Sequence, residues 1–342
     1  MSRMIRFHQF GPPEVLKCEE IPTPRPEAGE VLVRVNAIGV SWNDILWRQN
    51  LAPEQAHLPS GIGSELSGKV EAVGEGVEDL PIGTPVASFL AHTPNRYPAY
   101  GDLMLMPREA LTRYPDNGTL TPMEASVHYT PLLTAYFALV NLARVKPNQV
   151  VLTTEASVCL GPSTVQLSKA LGARVIASTK NAESRDYLLG LGADNVVVTD
   201  EQDLVREVAK ATDGRGVDVV LDSCGGRQMN LLGDLAAPRA KLILYGLNGG
   251  NEASFPACEA FRKHLQFFRH SMLDFTGHAE LGIEPDREAV QRALQQINQL
   301  TQDGLLKSEV DREFTFDEVV EAHRYMETLP SRGRIAIRVS GN

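Results

Sequence analysis

The sequence predicts a two-domain α/β protein, in which a β-rich, loop-rich N-terminal part precedes a doubly wound parallel sheet. Three observations carry this. From Val150 onward, short apolar runs alternate with amphipathic segments of helical length, the pattern of βαβ units. Before that point β-branched runs are separated by turn formers, with Pro12, Pro13, Pro22, Pro24 and Pro26 punctuating the start. The chain has 342 residues, 43% hydrophobic and 22% charged, enough for about two domains with cores of their own.

In the N-terminal part, residues 31–35 and 68–74 are β-branched strands bounded by Pro, Gly and Glu. Residues 150–154 open the alternating region. A Gly/Pro turn follows, then a helix over 162–171, with Pro162 suited to the first helical position and Gly172 to the residue past the end. The series continues as strand 175–178, helix 182–191, strand 195–199, helix 201–211, strand 217–222, helix 228–236 and strand 241–245. Residues 266–269 read as a sixth strand. The C-terminal part holds an amphipathic helix over 287–303, a helix near 316–328 and a closing strand over 334–339 that can return to the first domain.

Charge and cysteine usage exclude several function classes. Lys and Arg number 33 against 43 Asp and Glu, a net charge of −10. With no basic cluster, neither nucleic acid nor an anionic membrane surface is an expected partner. Cys18, Cys159, Cys224 and Cys258 are far apart and form no CxxC pair, so neither a disulfide framework nor a structural zinc lobe is expected. The N-terminus runs straight into strand-like sequence, and no stretch of about 18 apolar residues occurs. A cytoplasmic protein is the expectation.

In a doubly wound sheet the ligand binds at the carboxyl ends of the strands, with its phosphates at a helix N-terminus. The relevant turn here is Thr154-Glu155-Ala156-Ser157-Val158-Cys159-Leu160-Gly161-Pro162. The G-x-G-x-x-G positions fall on Ala156, Val158 and Gly161, so only the third glycine is present; a generic strand-to-helix turn would look similar. Where the second strand ends, an acidic residue normally binds the adenosine ribose. Here Thr179, Lys180 and Asn181 stand there, with Arg185 one turn on. A hydroxyl, cations and an amide suit the 2′-phosphate of NADPH, although Lys180 and Arg185 also read as solvated surface charges.

The chain resembles the medium-chain dehydrogenases/reductases, specifically the zinc-free quinone oxidoreductase-like branch. The segments that carry the resemblance are Ala37-Ile38-Gly39-Val40-Ser41-Trp42-Asn43-Asp44, Gly63-Ser64-Glu65-Leu66-Ser67-Gly68, Leu133-Thr134-Ala135-Tyr136-Phe137, the nucleotide turn, Gly190-Leu191-Gly192-Ala193-Asp194 and Phe316-Asp317-Glu318-Val319-Val320. Together they run through nearly the whole chain in family order. The resemblance implies a GroES-like β-rich barrel domain over 1–128, a Rossmann NADP(H)-binding domain over 129–270, and a segment over 271–342 that returns to the barrel domain, with the active-site cleft between the domains. It implies cofactor contacts from the turn (Ala156, Ser157, Val158, Cys159, Leu160, Gly161) and from Thr134, Gly246, Leu247 and Arg334. It also implies a homodimer, formed through the edge strands around residues 241–268.

Zinc-using relatives place their catalytic ligands at the positions of Ser41, Ser64 and Thr130, and a structural-zinc lobe would fall within residues 91–108, which contain no cysteine. Hydroxyls are poor zinc ligands, and His92 and His128 read as packed residues. No metal is therefore expected. Without a Lewis acid to stabilise an alkoxide, the expected reaction is hydride transfer from NADPH to a small-molecule electrophile, a quinone or an activated C=C or C=O bond. Candidate donors or positioning groups are Ser41, Asn43 and Tyr129, with no catalytic acid assigned; Asp44 reads as fixing the backbone. Glu155 is out of place beside a pyrophosphate, and Trp42 and Trp47 either pack or shape an aromatic slot. The rival readings are an alcohol dehydrogenase using unconventional groups and a non-catalytic NADPH-binding redox sensor.

Overall fold

The computed structural model describes residues 1–52, 54–115, 118–250, 252–308, 310–328 and 334–339. The chain divides into two compact units. One comprises Met1–Thr130, Met272–Gln302 and Lys307–Asn342; the other comprises Pro131–Ser271 with Asp303–Leu306.

The first unit is built around the strand Glu30–Val40, whose β-branched run is almost wholly buried. This one strand serves three partners because two of them take successive stretches of it, residues 30–34 and 37–40. It pairs antiparallel with Glu65–Val73, with Leu103–Pro107 and with the C-terminal strand Arg334–Arg338. The last pairing sets Ile335 opposite Val40, which brings Arg334 to the end of the central strand beside Glu65. Val310–Thr315, Pro85–Ser88 and Leu111–Arg113 complete a seven-stranded sheet. A three-stranded sheet of Ser2–Phe7, Lys17–Ile21 and Ser60–Gly61 accompanies it.

In the second unit, six parallel strands lie in the spatial order Asn195–Val198, Arg174–Thr179, Val150–Thr153, Val217–Asp222, Ala236–Leu244 and Gln266–Arg269. In chain order that is 3-2-1-4-5-6, the doubly wound arrangement. Alternate residues of a strand feed opposite faces. Ile176 packs with Leu152, Val220 and Leu232 on one side, whereas Val175 and Ala177 pack with Val165 and Leu188 on the other. A sheet buried on both faces explains the unbroken apolar runs. The order reverses between the first and fourth strands, so the switch point lies where Val150–Thr153 and Val217–Asp222 end.

Three elements differ from the sequence expectation. The segment 182–191 splits into a 3-10 turn, Ala182–Ser184, and a helix, Arg185–Gly190, because Asn181 caps early by accepting the Glu183 N–H. The helix expected from residue 201 begins at Leu204, capped by Asp203, which accepts the Arg206 N–H at 2.7 Å. The strand expected over 241–245 is longer, Ala236–Leu244, and its pairing with Val217–Asp222 is irregular between Val217 and Val219. Among the described residues no helix is long and apolar enough to cross a membrane.

Candidate cofactor site and the buried network of the first unit

At the switch point, polar side chains tie the strand ends together. The Thr154 hydroxyl donates to Asp222 Oδ1 at 2.7 Å, and Asp222 also accepts the N–H groups of Cys224 (3.1 Å) and Gly225 (3.0 Å). Ser223 returns the link, donating its hydroxyl to the Thr154 carbonyl and its N–H to the Thr154 hydroxyl, each at 3.1 Å. Asp222 is 2% exposed. Burial raises its proton affinity, and the three donors oppose that. On the other side, Ser157 and Thr179 share a hydroxyl–hydroxyl bond at 3.0 Å, which fixes the turn to the end of the second strand.

Glu155 and Cys159 adopt left-handed backbone, φ 44° and 53°, on either side of Ala156 and Val158, where the fingerprint has its first two glycines. Gly161 is the one position where a glycine is sterically required, since a Cβ there would lie 2.4 Å from the Ala156 carbonyl oxygen. The helix Gly161–Ala170 has Leu160 at its N-cap with no side-chain cap, and its first turn carries no acidic residue. Its positive end is therefore offered to an anion. Across the sheet, Gly246 packs against Ser223, where a Cβ would meet the carbonyl oxygen at 2.4 Å. The Asn248 N–H donates to the same oxygen, and Leu247 is 61% exposed. The structure thus brings together Ala156–Gly161, Thr179, Gly246 and Leu247. These residues fit a dinucleotide.

Other predicted residues lie elsewhere. Arg185 reaches the third strand, donating to the Val196 carbonyl (3.1 Å) and to Gln202 (3.2 Å), whereas Lys180 is exposed. Glu155 accepts the backbone N–H of Lys180 and feels its ammonium; burial, the larger influence, raises its pKa above the ordinary glutamate range. The carboxylate is thus partly neutralised at the end of the second strand. Thr134 is buried in the helix Tyr129–Tyr136, and its carbonyl accepts from His270 Nε2 at 2.9 Å. Arg334 is buried in the first unit, donating to Glu65 at 2.6 Å and to the Val40 carbonyl.

In that unit, Ser41 caps the helix Trp42–Arg48, and its N–H donates to Asp44 at 2.8 Å. Asp44 also accepts the Tyr100 hydroxyl at 3.1 Å. Desolvation and the neighbouring Glu65 push its carboxyl up to about 7. Asn43 is exposed on the first turn. Tyr129 is buried and donates its hydroxyl to Asn298 at 2.8 Å. Trp47 packs internally, its indole N–H shared by Ser60 and Gly61, while Trp42 is 38% exposed.

The positions of Ser64 and Thr130 are engaged otherwise: the Ser64 carbonyl accepts from Ser88, and the Thr130 hydroxyl accepts the Leu90 N–H. With Ser41 they form a donor set that does not fit zinc. Among the described residues no group of three or more His, Cys, Asp or Glu side chains converges. His128 lies between Ser308 and Thr301. Burial lowers its pKa to about 3 and that of His92 to about 4, which keeps both neutral.

Sequence reasoning missed Asp222 and the Glu65–Arg334 pair. An Asp closing the apolar run Val219-Val220-Leu221, directly before Ser-Cys-Gly-Gly, was the available signal for the first. The second depends on two residues 269 positions apart.

Residues 27–113 match the alcohol dehydrogenase GroES-like domain and residues 159–283 the zinc-binding dehydrogenase family. The chain is 29% identical over 324 residues to a quinone oxidoreductase of Pseudomonas aeruginosa, covering 94% of this chain and 95% of that one. It is 28% identical over 335 residues to a phenolphthiocerol/phthiocerol polyketide synthase of Mycobacterium tuberculosis, covering 98% of this chain but only 15% of the length of that synthase chain. Among solved structures, an Escherichia coli quinone oxidoreductase complexed with NADPH superposes with a TM-score of 0.85 at 26% identity, covering 99% of this chain and 100% of that one.

Proposed function

We infer the activity of this chain from the quinone oxidoreductase-like branch of the medium-chain dehydrogenase/reductase superfamily, to which it belongs. It is an NADPH-dependent oxidoreductase acting on a small molecule, and the acceptor we propose is a quinone or an activated C=C or C=O bond, reduced without zinc. The observation that carries the reading is the seat at the switch point, where Thr154, Asp222 and Ser223 lock the strand ends beneath an uncapped helix N-terminus.

NADPH held there supplies a hydride, and the reduced acceptor gains that hydride and a proton. The chain's own residues orient and bind. The positive end of the helix Gly161–Ala170 faces the pyrophosphate, and Ser157 and Thr179 hold the turn against the second strand. Lys180 is the cation available to a 2′-phosphate. An acceptor that is already electrophilic spreads the incoming charge onto its oxygen, so hydrogen-bond donors suffice. Ser41 and Asn43 are the donors we assign to that task, and Tyr129 joins them only if it leaves Asn298. Hydroxyls at the three zinc-ligand positions support the metal-free reading.

We also propose a homodimer through Gln266–Arg269, the edge strand of the six-stranded sheet, and a reducing, cytoplasmic setting for the four thiols.

The test is a fluorescence titration of metal-stripped protein with NADPH and NADH, followed by assay with quinones and enones. Tight NADPH binding, weaker NADH binding and turnover without metal are expected. Binding with no turnover of any electrophile would overturn the enzyme reading, and restoration of activity only by zinc would overturn its metal-free part.

A further inference from the structure

The second unit carries another concave site, at the opposite ends of its strands from the cofactor turn. A cavity of about 350 Å³ is lined by residues that include Arg144, Lys146, Gln149, Asp218, Arg239 and Lys241. Four of these six are cations, in a chain whose net charge is −10. The one carboxylate, Asp218, is already engaged: it holds Arg215 at 2.7 and 2.8 Å and accepts the Val150 N–H. Among the described residues, the side chains of Arg144, Lys146 and Arg239 make no ion pair or hydrogen bond. Lys241 gives two N–H bonds to the carbonyls of Leu142 and Ala143, which leaves one for a ligand.

The backbone supports the same reading. Arg144 (φ 53°) and Arg239 (φ 65°) are both held in left-handed conformation, which costs a non-glycine residue about 1 kcal/mol or more. Arg239 lies where the strand Ala236–Leu244 loses register with its neighbour, and such irregularities re-aim side chains. Burial and the nearby charges of Arg144 and Lys146 lower the pKa of Lys241, so the cations repel one another without an anion between them.

We propose that this cavity binds a multiply charged, phosphate-bearing small molecule, distinct from the dinucleotide at the switch point. Its volume suits a small ligand, and arginine forks pair with phosphate oxygens through charge-assisted bonds.

The experiment is calorimetric titration of inorganic pyrophosphate into NADPH-saturated protein at fixed ionic strength, with the dinucleotide keeping the other phosphate seat filled. One saturable site is expected. The triple variant Arg144→Gln/Lys146→Gln/Arg239→Gln weakens it at least tenfold and leaves NADPH binding intact. Arg292→Gln, a cation on the helix Arg287–Gln302, leaves it unchanged. Absence of saturable heat, or equal affinity in the triple variant, would overturn the proposal.

Discussion

The two units bury polar groups in opposite ways. In the second, Asp222 accepts from Thr154 at the end of the neighbouring strand and from the turn that follows its own strand. In the first, the buried groups are ionisable and serve the chain itself. Glu65 pairs with Arg334, Arg48 with Glu327, and Asp44 lies beside Glu65 under Tyr100. Arg48 is 0% exposed and also bonds the Gly11 carbonyl. Hydrogen bonds from neutral donors leave a site open to a ligand, whereas ion pairs fasten distant segments. Damage to the first unit should therefore appear as lost stability, and damage to the second as lost binding.

The sharpest way to break this contrast is Arg334→Met. It strands the Glu65 carboxylate in the interior, a loss of about 3–5 kcal/mol, read by urea denaturation. Glu65→Gln/Arg334→Met should recover most of that, because neither charge is then buried. If the single variant is as stable as the native chain but binds NADPH weakly, Arg334 serves the cofactor and the comparison fails.

Titration of Asp44 comes next. Its folded pKa of about 7 stands above the ordinary value of 3.8, so the folded state holds a proton that the unfolded state releases. Stability from this group is full below about pH 4 and is lost as the pH rises toward 7. The buried histidines act in the opposite sense, since His128 and His323, both near 3, must charge when the chain unfolds in acid. The readout is therefore the difference between Asp44→Asn and the native chain, in which the histidines cancel. The amide introduced by that substitution can still accept the Ser41 N–H. Between about pH 4.5 and 7.5 that difference should shift by about 3 kcal/mol in favour of the variant. A constant difference would mean that Asp44 is not desolvated.

In the second unit, Asp222→Asn keeps one acceptor oxygen and turns the other into a donor, which then faces the N–H of Gly225 if the oxygen stays with Thr154 and Cys224. A cost of about 1–3 kcal/mol is expected, with NADPH affinity falling about tenfold. The stability response of Arg334→Met should add to it independently.

What the sequence makes legible follows from range. Strands Val217–Asp222 and Gln266–Arg269 have the predicted bounds because each centres on a short β-forming apolar run, Val219-Val220-Leu221 and Phe267-Phe268, flanked by polar residues. Residues 236–240, Ala-Ala-Pro-Arg-Ala, do not read as strand because they contain no β-branched residue and include a proline; their pairing is decided by the neighbouring strand. The nucleotide turn is legible from Gly161 and the strand before it. Arg185 misleads because one helical turn of spacing cannot say which way a long side chain extends, and the Val196 carbonyl and Gln202 offer nearer partners. Arg48 meets Glu327 across 279 positions, a distance at which no local pattern exists.

The smallest expected effect tests the one acidic side chain in the nucleotide turn. Glu155 accepts the Lys180 N–H and partly neutralises the cation assigned to the 2′-phosphate, while adding negative charge to a seat meant for phosphates. Glu155→Gln keeps an acceptor for that N–H and removes the charge, so NADPH should bind about three- to tenfold more tightly, or about 0.6–1.4 kcal/mol. NADH should gain less, since it has no 2′-phosphate to exploit Lys180. Because burial raises the Glu155 pKa, the native carboxyl neutralises sooner than an exposed one on acidification, and the advantage of the variant should shrink as the pH falls. An equal gain for both nucleotides would assign the effect to the pyrophosphate rather than to Lys180. No gain at any pH would show that the native carboxylate is fully screened by Lys180, leaving the altered turn as competent as one built from glycine.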